Sequence, residues 1–217
     1  MRPYYWFMRF LSQGALALFF HGRVFDRHNV PGSGGVMLAC NHQSFFDPLA
    51  ATCALGREGN YMARASLFGN PLFKRLISSV NAFPVKRGAA DVGAIKEILR
   101  RLKAGKVVLV FVEGTRTIDG SIGKINPNAM TIAKRAGAAI VPTVIDGAFE
   151  AWPRTKLLPR PGHIHVTYAE PIIPQEVHDH PADRLAQTVA ERLNVVMEAS
   201  RPRRRRAAAL SWLERGV

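Results

Sequence analysis

Three features of this 217-residue chain predict an α/β fold, a single-domain sandwich with a largely parallel central sheet flanked by helices and preceded by an N-terminal interfacial helix. Short β-branched apolar runs alternate with stretches whose apolar residues recur at helical spacing. The apolar runs end in polar, glycine-bearing junctions, as strands do where they pass into helices. A composition of 47% hydrophobic and 21% charged residues suits a packed core and excludes a disordered or collagen-like chain. The length fits one domain that needs neither disulfide nor metal to fold.

The elements follow in order. Val36–Cys40, after the turn Pro31-Gly32-Ser33-Gly34-Gly35, reads as a buried strand, and residues 48–55 read as a helix stopped by Gly56. Tyr61-Met62-Ala63 is a short strand, Pro71–Ser79 a helix and Ala82–Val85 a strand. Val92–Lys103 carries an apolar stripe of Val92, Ile95, Ile98, Leu99 and Leu102 and ends at Gly105. Val107–Phe111, continuous and β-branched, is the clearest central strand. A helix over 129–135, strands over 140–145 and 164–168, and a long helix over 185–199 complete the pattern.

Residues 1–22 form a separate feature. The stretch 3–20 is rich in Tyr, Trp, Phe and Leu, but its longest uncharged run, between Arg9 and Arg23, has thirteen residues. A span needs about 20, and no small-residue cleavage site follows. Two readings fit: a helix lying in the headgroup layer of a membrane, or an ordinary helix covering the sheet. Residues 23–200 form the folded domain, and 201–217 a basic C-terminal tail.

Charge is the other outlier. The chain has 30 Lys+Arg against 16 Asp+Glu, a formal +14. Residues 1–87 carry ten basic and three acidic side chains, 88–200 fourteen against twelve, and the tail six Arg against one Glu. Such a surface seeks an anionic partner: nucleic acid, an anionic membrane or phosphorylated small molecules. Two cysteines, Cys40 and Cys53, make no disulfide framework and point to a reducing compartment.

Two strand ends carry chemistry. In Cys40-Asn41-His42-Gln43-Ser44-Phe45-Phe46-Asp47-Pro48, His42 and Asp47 would stand about 140° apart on a regular helix. If Asp47 is instead the N-cap before Pro48, the turn folds back and the carboxylate orients the imidazole as in a base–carboxylate pair. The alternative is a plain cap and a plain turn. Phe111-Val112-Glu113-Gly114-Thr115-Arg116 ends the central strand with a glycine for close approach and an arginine suited to phosphate. Between them, Phe83-Pro84-Val85-Lys86-Arg87-Gly88 runs a strand into paired cations. His163-x-His165 and His178-Asp179-His180 look metal-like but lack a third ligand at a readable spacing, so no metal is expected. No nucleotide-binding glycine pattern is present.

Taken together, Asn41-His42-x-Ser44-x-x-Asp47, Lys86-Arg87-Gly88, Glu113-Gly114-Thr115-Arg116 and Ile140-Val141-Pro142-Thr143-Val144-Ile145 resemble, in order and spacing, the lysophospholipid acyltransferase family, typified by 1-acylglycerol-3-phosphate acyltransferases. The likeness runs from about residue 20 to 175. It implies His42 as general base, Asp47 as its orienting partner, and Arg87, Glu113, Gly114, Thr115 and Arg116 as groups that bind the acceptor's phosphate. Val112 stands where the family has proline. The implied reaction moves a fatty acyl group from acyl-CoA or acyl carrier protein to the hydroxyl of 1-acylglycerol 3-phosphate, giving phosphatidic acid, with no cofactor. The expected partners are the lysophospholipid, the thioester and an anionic membrane surface, with the enzyme peripheral or monotopic on the cytoplasmic face. Another acceptor, such as glycerol 3-phosphate, another lysophospholipid or an aminolipid, is the alternative within the class. A basic nucleic-acid-binding protein is the alternative outside it, but the chain lacks the stacking motifs that such binding uses, so no nucleic-acid partner is expected.

Overall fold

A computed structural model of the chain describes residues 3–86 and 91–213. The strands are β1 (Arg23–Phe25), β2 (Val36–Cys40), β3 (Gly59–Arg64), β4 (Ala82–Val85), β5 (Val107–Phe111), β6 (Ala139–Asp146) and β7 (His165–Tyr168). The helices are α1 (Pro3–Phe20), α2 (Asp47–Cys53), α3 (Pro71–Ser79), α4 (Val92–Lys103), α5 (Pro127–Ala136), α6 (Ala148–Ala151), α7 (Pro174–Asp179) and α8 (Ala182–Leu213). The strands form one sheet in the order β1-β7-β6-β2-β5-β3-β4. Neighbours run parallel except β7, which is antiparallel to β6. The strand-and-helix alternation therefore becomes the expected mostly parallel α/β sandwich.

Period-two alternation sorts the central strands between two cores. Val36, Leu38 and Cys40 of β2 join Val107 and Leu109 of β5 beneath α1 and α2, while Met37, Ala39, Val108 and Val110 pack under α4, α5 and α8. All five β2 residues are fully buried, which is why this strand reads as an unbroken apolar run. Burying each large one stabilises the fold by about 1.5–3 kcal/mol.

Pro142 stands inside β6, yet the sheet tolerates it. Its carbonyl accepts from Ala169 N–H, so its donorless nitrogen faces the same side. There β7 pairing begins only at Thr143, and Ile172 bridges to Ile140. The missing donor falls in this gap.

Two expectations need correction. The three-residue strand β1 carries no periodic signal and was not foreseen; it forms because β7 offers it a parallel edge. The last helix does not end before Pro202 but continues to Leu213, so residue 201 marks no break in secondary structure. Pro202 removes one ladder hydrogen bond, and tertiary contacts hold the helix across it. Ser200 donates to Asp146, Arg201 to Gly120 O, and Arg204 lies 3.0 Å from Asp146 and 2.6 Å from Glu150.

Candidate active site

Because β2 and β5 are parallel neighbours with Cys40 paired to Phe111, the turns after them emerge side by side at one edge of the sheet. Open α/β sheets bind ligands at such carboxyl ends. His42 lies in the first turn and Glu113 to Arg116 in the second.

The His42–Asp47 pair forms. Nδ1 of His42 lies 2.8 Å from Oδ2 of Asp47, and the same oxygen accepts the backbone N–H groups of Gln43 and Ser44 at 2.6 and 2.7 Å. A carboxylate oxygen only accepts, so Nδ1 carries the ring proton and Nε2 presents a lone pair. The route to this pair differs from the expected N-cap. Asp47 is the first residue of α2, and the partners of its carboxylate all lie in the preceding turn, onto which it folds back. The imidazole also stacks on the Phe111 ring, with centroids 3.7 Å apart and planes 10° from parallel. Both in-plane rotation and tilt are thereby restricted.

Glu113 was expected among the groups that bind phosphate, but its contacts give it another place. One oxygen accepts from His42 N–H at 3.0 Å and the other from Gly123 N–H at 2.9 Å. The carboxylate ties the histidine turn to the 121–124 loop, and a like-charged phosphate has no reason to approach it. Burial pushes its pKa up, against the lowering effect of those two amides. Gly114 adopts φ 73°, in the left-handed region open to glycine, and Thr115 is exposed. The guanidinium of Arg116 lies flat on the Phe45 ring at 3.7 Å, on a loop joined to the histidine turn by Thr117 N–H donating to His42 O at 2.8 Å. Arg87 lies outside the described residues.

Sequence reasoning missed the residues that hold the turn. Asn41 is bidentate to Ile145 on β6, Nδ2 donating to its carbonyl and Oδ1 accepting its N–H. Buried Gln43 donates to Gly120 O and accepts from Phe149 N–H. Their only sequence signal was polarity directly after a buried strand. Cys40 is fully buried, and desolvation pushes its thiol well above the ordinary range, which argues against a nucleophile. The two imidazoles of His163-x-His165 diverge: His163 stacks on His21, while His165 is buried against Phe25 with its pKa pushed down to about 4 by burial. Among the described residues, no three His, Cys, Asp or Glu side chains cluster as a metal site.

Residues 21–146 match the family model described as Acyltransferase. The chain is 29% identical over 178 residues to the 1-acyl-sn-glycerol-3-phosphate acyltransferase of Bacillus subtilis, covering 82% of this chain and 83% of that one. It is 28% identical over 174 residues to a chloroplastic 1-acyl-sn-glycerol-3-phosphate acyltransferase of Arabidopsis thaliana, covering 78% of this chain but only 47% of the plant protein. In fold it is similar to the crystal structure of the 1-acyl-sn-glycerophosphate acyltransferase PlsC from Thermotoga maritima, with TM-score 0.79, 24% identity, 91% of this chain and 79% of that chain covered. The matched segment contains the His42 turn, Asp47 and the whole Glu113–Arg116 loop, and on that match the chain belongs to the Acyltransferase family and is an acyltransferase enzyme.

Proposed function

We propose that the enzyme acylates the free hydroxyl of 1-acylglycerol 3-phosphate, using acyl-CoA or an acyl carrier protein thioester, to give phosphatidic acid. The observation that carries this reading is the His42 ring, fixed by Asp47 with Nε2 open, beside an arginine held flat for a phosphate. Nε2 removes the acceptor's hydroxyl proton as the oxygen attacks the thioester carbon. The tetrahedral adduct collapses, and the imidazolium returns the proton to the leaving thiolate. Positioned bases of this kind contribute about 10²–10⁴ in rate. The Gln43 and Ser44 amides are committed to Asp47, so oxyanion donors must come from elsewhere.

The substrate is a lipid, and α1 offers a surface for reaching it. Tyr5, Leu16 and Phe20 turn into the core, while Trp6, Phe7, Phe10, Leu11, Leu18 and Phe19 stay exposed. The helix packs on α2 and leaves an aromatic stripe suited to the headgroup layer. No described helix is long and apolar enough to cross a membrane. In this reading the enzyme sits on the cytoplasmic face of a membrane, with α1 in the interface. The test is an acceptor and donor panel with purified protein, products read by mass spectrometry, and His42→Ala as control. The reading predicts the largest kcat/KM for lysophosphatidic acid and a loss of at least about 10²-fold in the variant. Preference for an acceptor without phosphate, or turnover retained by His42→Ala, overturns it.

A further inference from the structure

The loop between α6 and β7 has no part in the chemistry above, yet it carries the most exposed apolar side chain among the described residues. Leu157 is 89% exposed, and Leu158 beside it 74%. Water-facing leucines on a surface loop are common singly. Here two are adjacent, and Arg154, Lys156 and Arg160 flank them. No acidic residue occurs between Ala151 and Ala169, and neither Arg154 nor Lys156 makes an ion pair within the described residues.

The loop is built rather than loose. Trp152 Nε1 donates to Lys156 O at 3.2 Å, Lys156 N–H to Pro153 O at 3.1 Å, and Arg160 N–H to Ala151 O at 2.8 Å. Its two ends connect the surfaces already described. Gly162 N–H donates to Phe19 O at the end of α1, where Leu18 and Phe19 are exposed. The Trp152 ring lies 5.6 Å from Phe45, the residue on which Arg116 stacks. The loop therefore links the end of the α1 stripe to the Phe45–Arg116 side of the site.

We propose that residues 152–160 form a second membrane-inserting element, which seats the mouth of the active site on an anionic bilayer so that the lipid acceptor passes from the leaflet to His42 without crossing water. Leu157 and Leu158 enter the acyl-chain boundary, and Arg154, Lys156 and Arg160 meet the headgroup phosphates. Leucines at a tip with cations around them match the layering of that interface, and the Gly162–Phe19 hydrogen bond joins the loop to the end of the α1 stripe. The proposal rests on the lysophospholipid reading above for its consequence in turnover, though not for its consequence in binding.

The test uses the full chain with Leu157→Ser and Leu158→Ser combined, changes at exposed positions that leave the core untouched. Sedimentation with phosphatidylcholine vesicles containing phosphatidylglycerol should show about tenfold weaker binding. Turnover of a long-chain lysophosphatidic acid in those vesicles should fall about as much, while turnover of a dispersed short-chain acceptor stays within about twofold. Independently, Leu157→Cys carrying an environment-sensitive fluorophore should shift to the blue on vesicle addition. Lys103→Cys on α4, across the sheet, should not; Cys40 and Cys53 are buried and escape labelling. Equal losses on both acceptors would make the loop part of the substrate site and overturn the proposal, as would unchanged binding or a fluorophore indifferent to vesicles. If the intact chain turns over neither acceptor, the acyltransfer reading fails, and binding and fluorescence still decide the loop.

Discussion

Replacing Asp47 by Asn separates what its charge does from what its shape does. The amide can sit two ways, and the structure allows one. Oδ2 receives three donors, from Nδ1 of His42 and the Gln43 and Ser44 amides at 2.6–2.8 Å, so the amide oxygen must take that position. The NH₂ then falls where Oδ1 stands, a fully buried spot with no hydrogen-bond partner. That spot is already unpaired in the native chain, so the stability lost is that of three hydrogen bonds whose acceptor gives up its charge, about 1–3 kcal/mol, or about 2–12 °C in Tm for a chain of this size. Because the oxygen still accepts from Nδ1, the ring tautomer survives and Nε2 remains the acceptor. What is lost is the negative charge beside the imidazolium formed during reaction. Between a water-like and an intermediate effective dielectric, an opposite charge at about this range stabilises the imidazolium by about 1–4 kcal/mol. kcat should therefore fall about 10- to 1000-fold, short of the loss when the imidazole itself is removed. Single-turnover acyl transfer at saturating acceptor, with thermal unfolding of the same preparations, makes the measurement. Native turnover in Asp47→Asn would refute the charge-stabilising role of Asp47, and an unchanged Tm would refute the buried geometry.

Three further outcomes follow from the same contacts. Arg116→Ala should lower kcat/KM for the phosphorylated acceptor about ten- to hundredfold, the loss of a charged hydrogen-bonded pair of about 1.5–3 kcal/mol; an equal loss with an acceptor lacking phosphate would assign Arg116 to the fold. Glu113→Gln presents a donor to one of the two amides that Glu113 now satisfies. Burial raises the Glu113 pKa, so the native chain holds its proton longer than the unfolded one. Its relative stability is fully present at acid pH and declines as pH rises through the shifted value. Urea unfolding at several pH values should show the stability gap between wild type and variant narrowing as pH rises, and a gap independent of pH removes Glu113 as its source. Phe7→Ser, Phe10→Ser and Leu11→Ser together should weaken vesicle binding without lowering Tm. Deleting all of α1 is no substitute, since Tyr5, Leu16 and Phe20 belong to the core; a triple variant that binds vesicles like wild type moves the anchor away from α1.

How much of this was legible before folding depends on the range over which each residue acts. The order of most strands and helices follows from spacing and local residue type, because backbone propensity and period are short-range properties. So does the aromatic character of residues 3–20, whereas the His42–Asp47 pair and the phosphate role of Arg116 are implied only by the resemblance of four ordered motifs. The sequence alone did not say which α1 residues face outward; that depends on α2 lying beneath Tyr5 and Leu16. Nor did it say that Glu113 would hold the His42 backbone, since seventy-one positions separate them and only the β2–β5 register brings them together. Asn41 reaches Ile145 in the same way, across 104 positions. The arginines after residue 200 show the limit most plainly. As a string they are a solvated tail broken by Pro202, but Asp146, carried to the end of β6 by the sheet, captures Arg204 and Ser200 and turns that string into helix. Local patterns decided what each segment would become, and the sheet decided which distant segments would share charge, hydrogen bonds and a site, because only closure of the chain brings those groups within bonding distance.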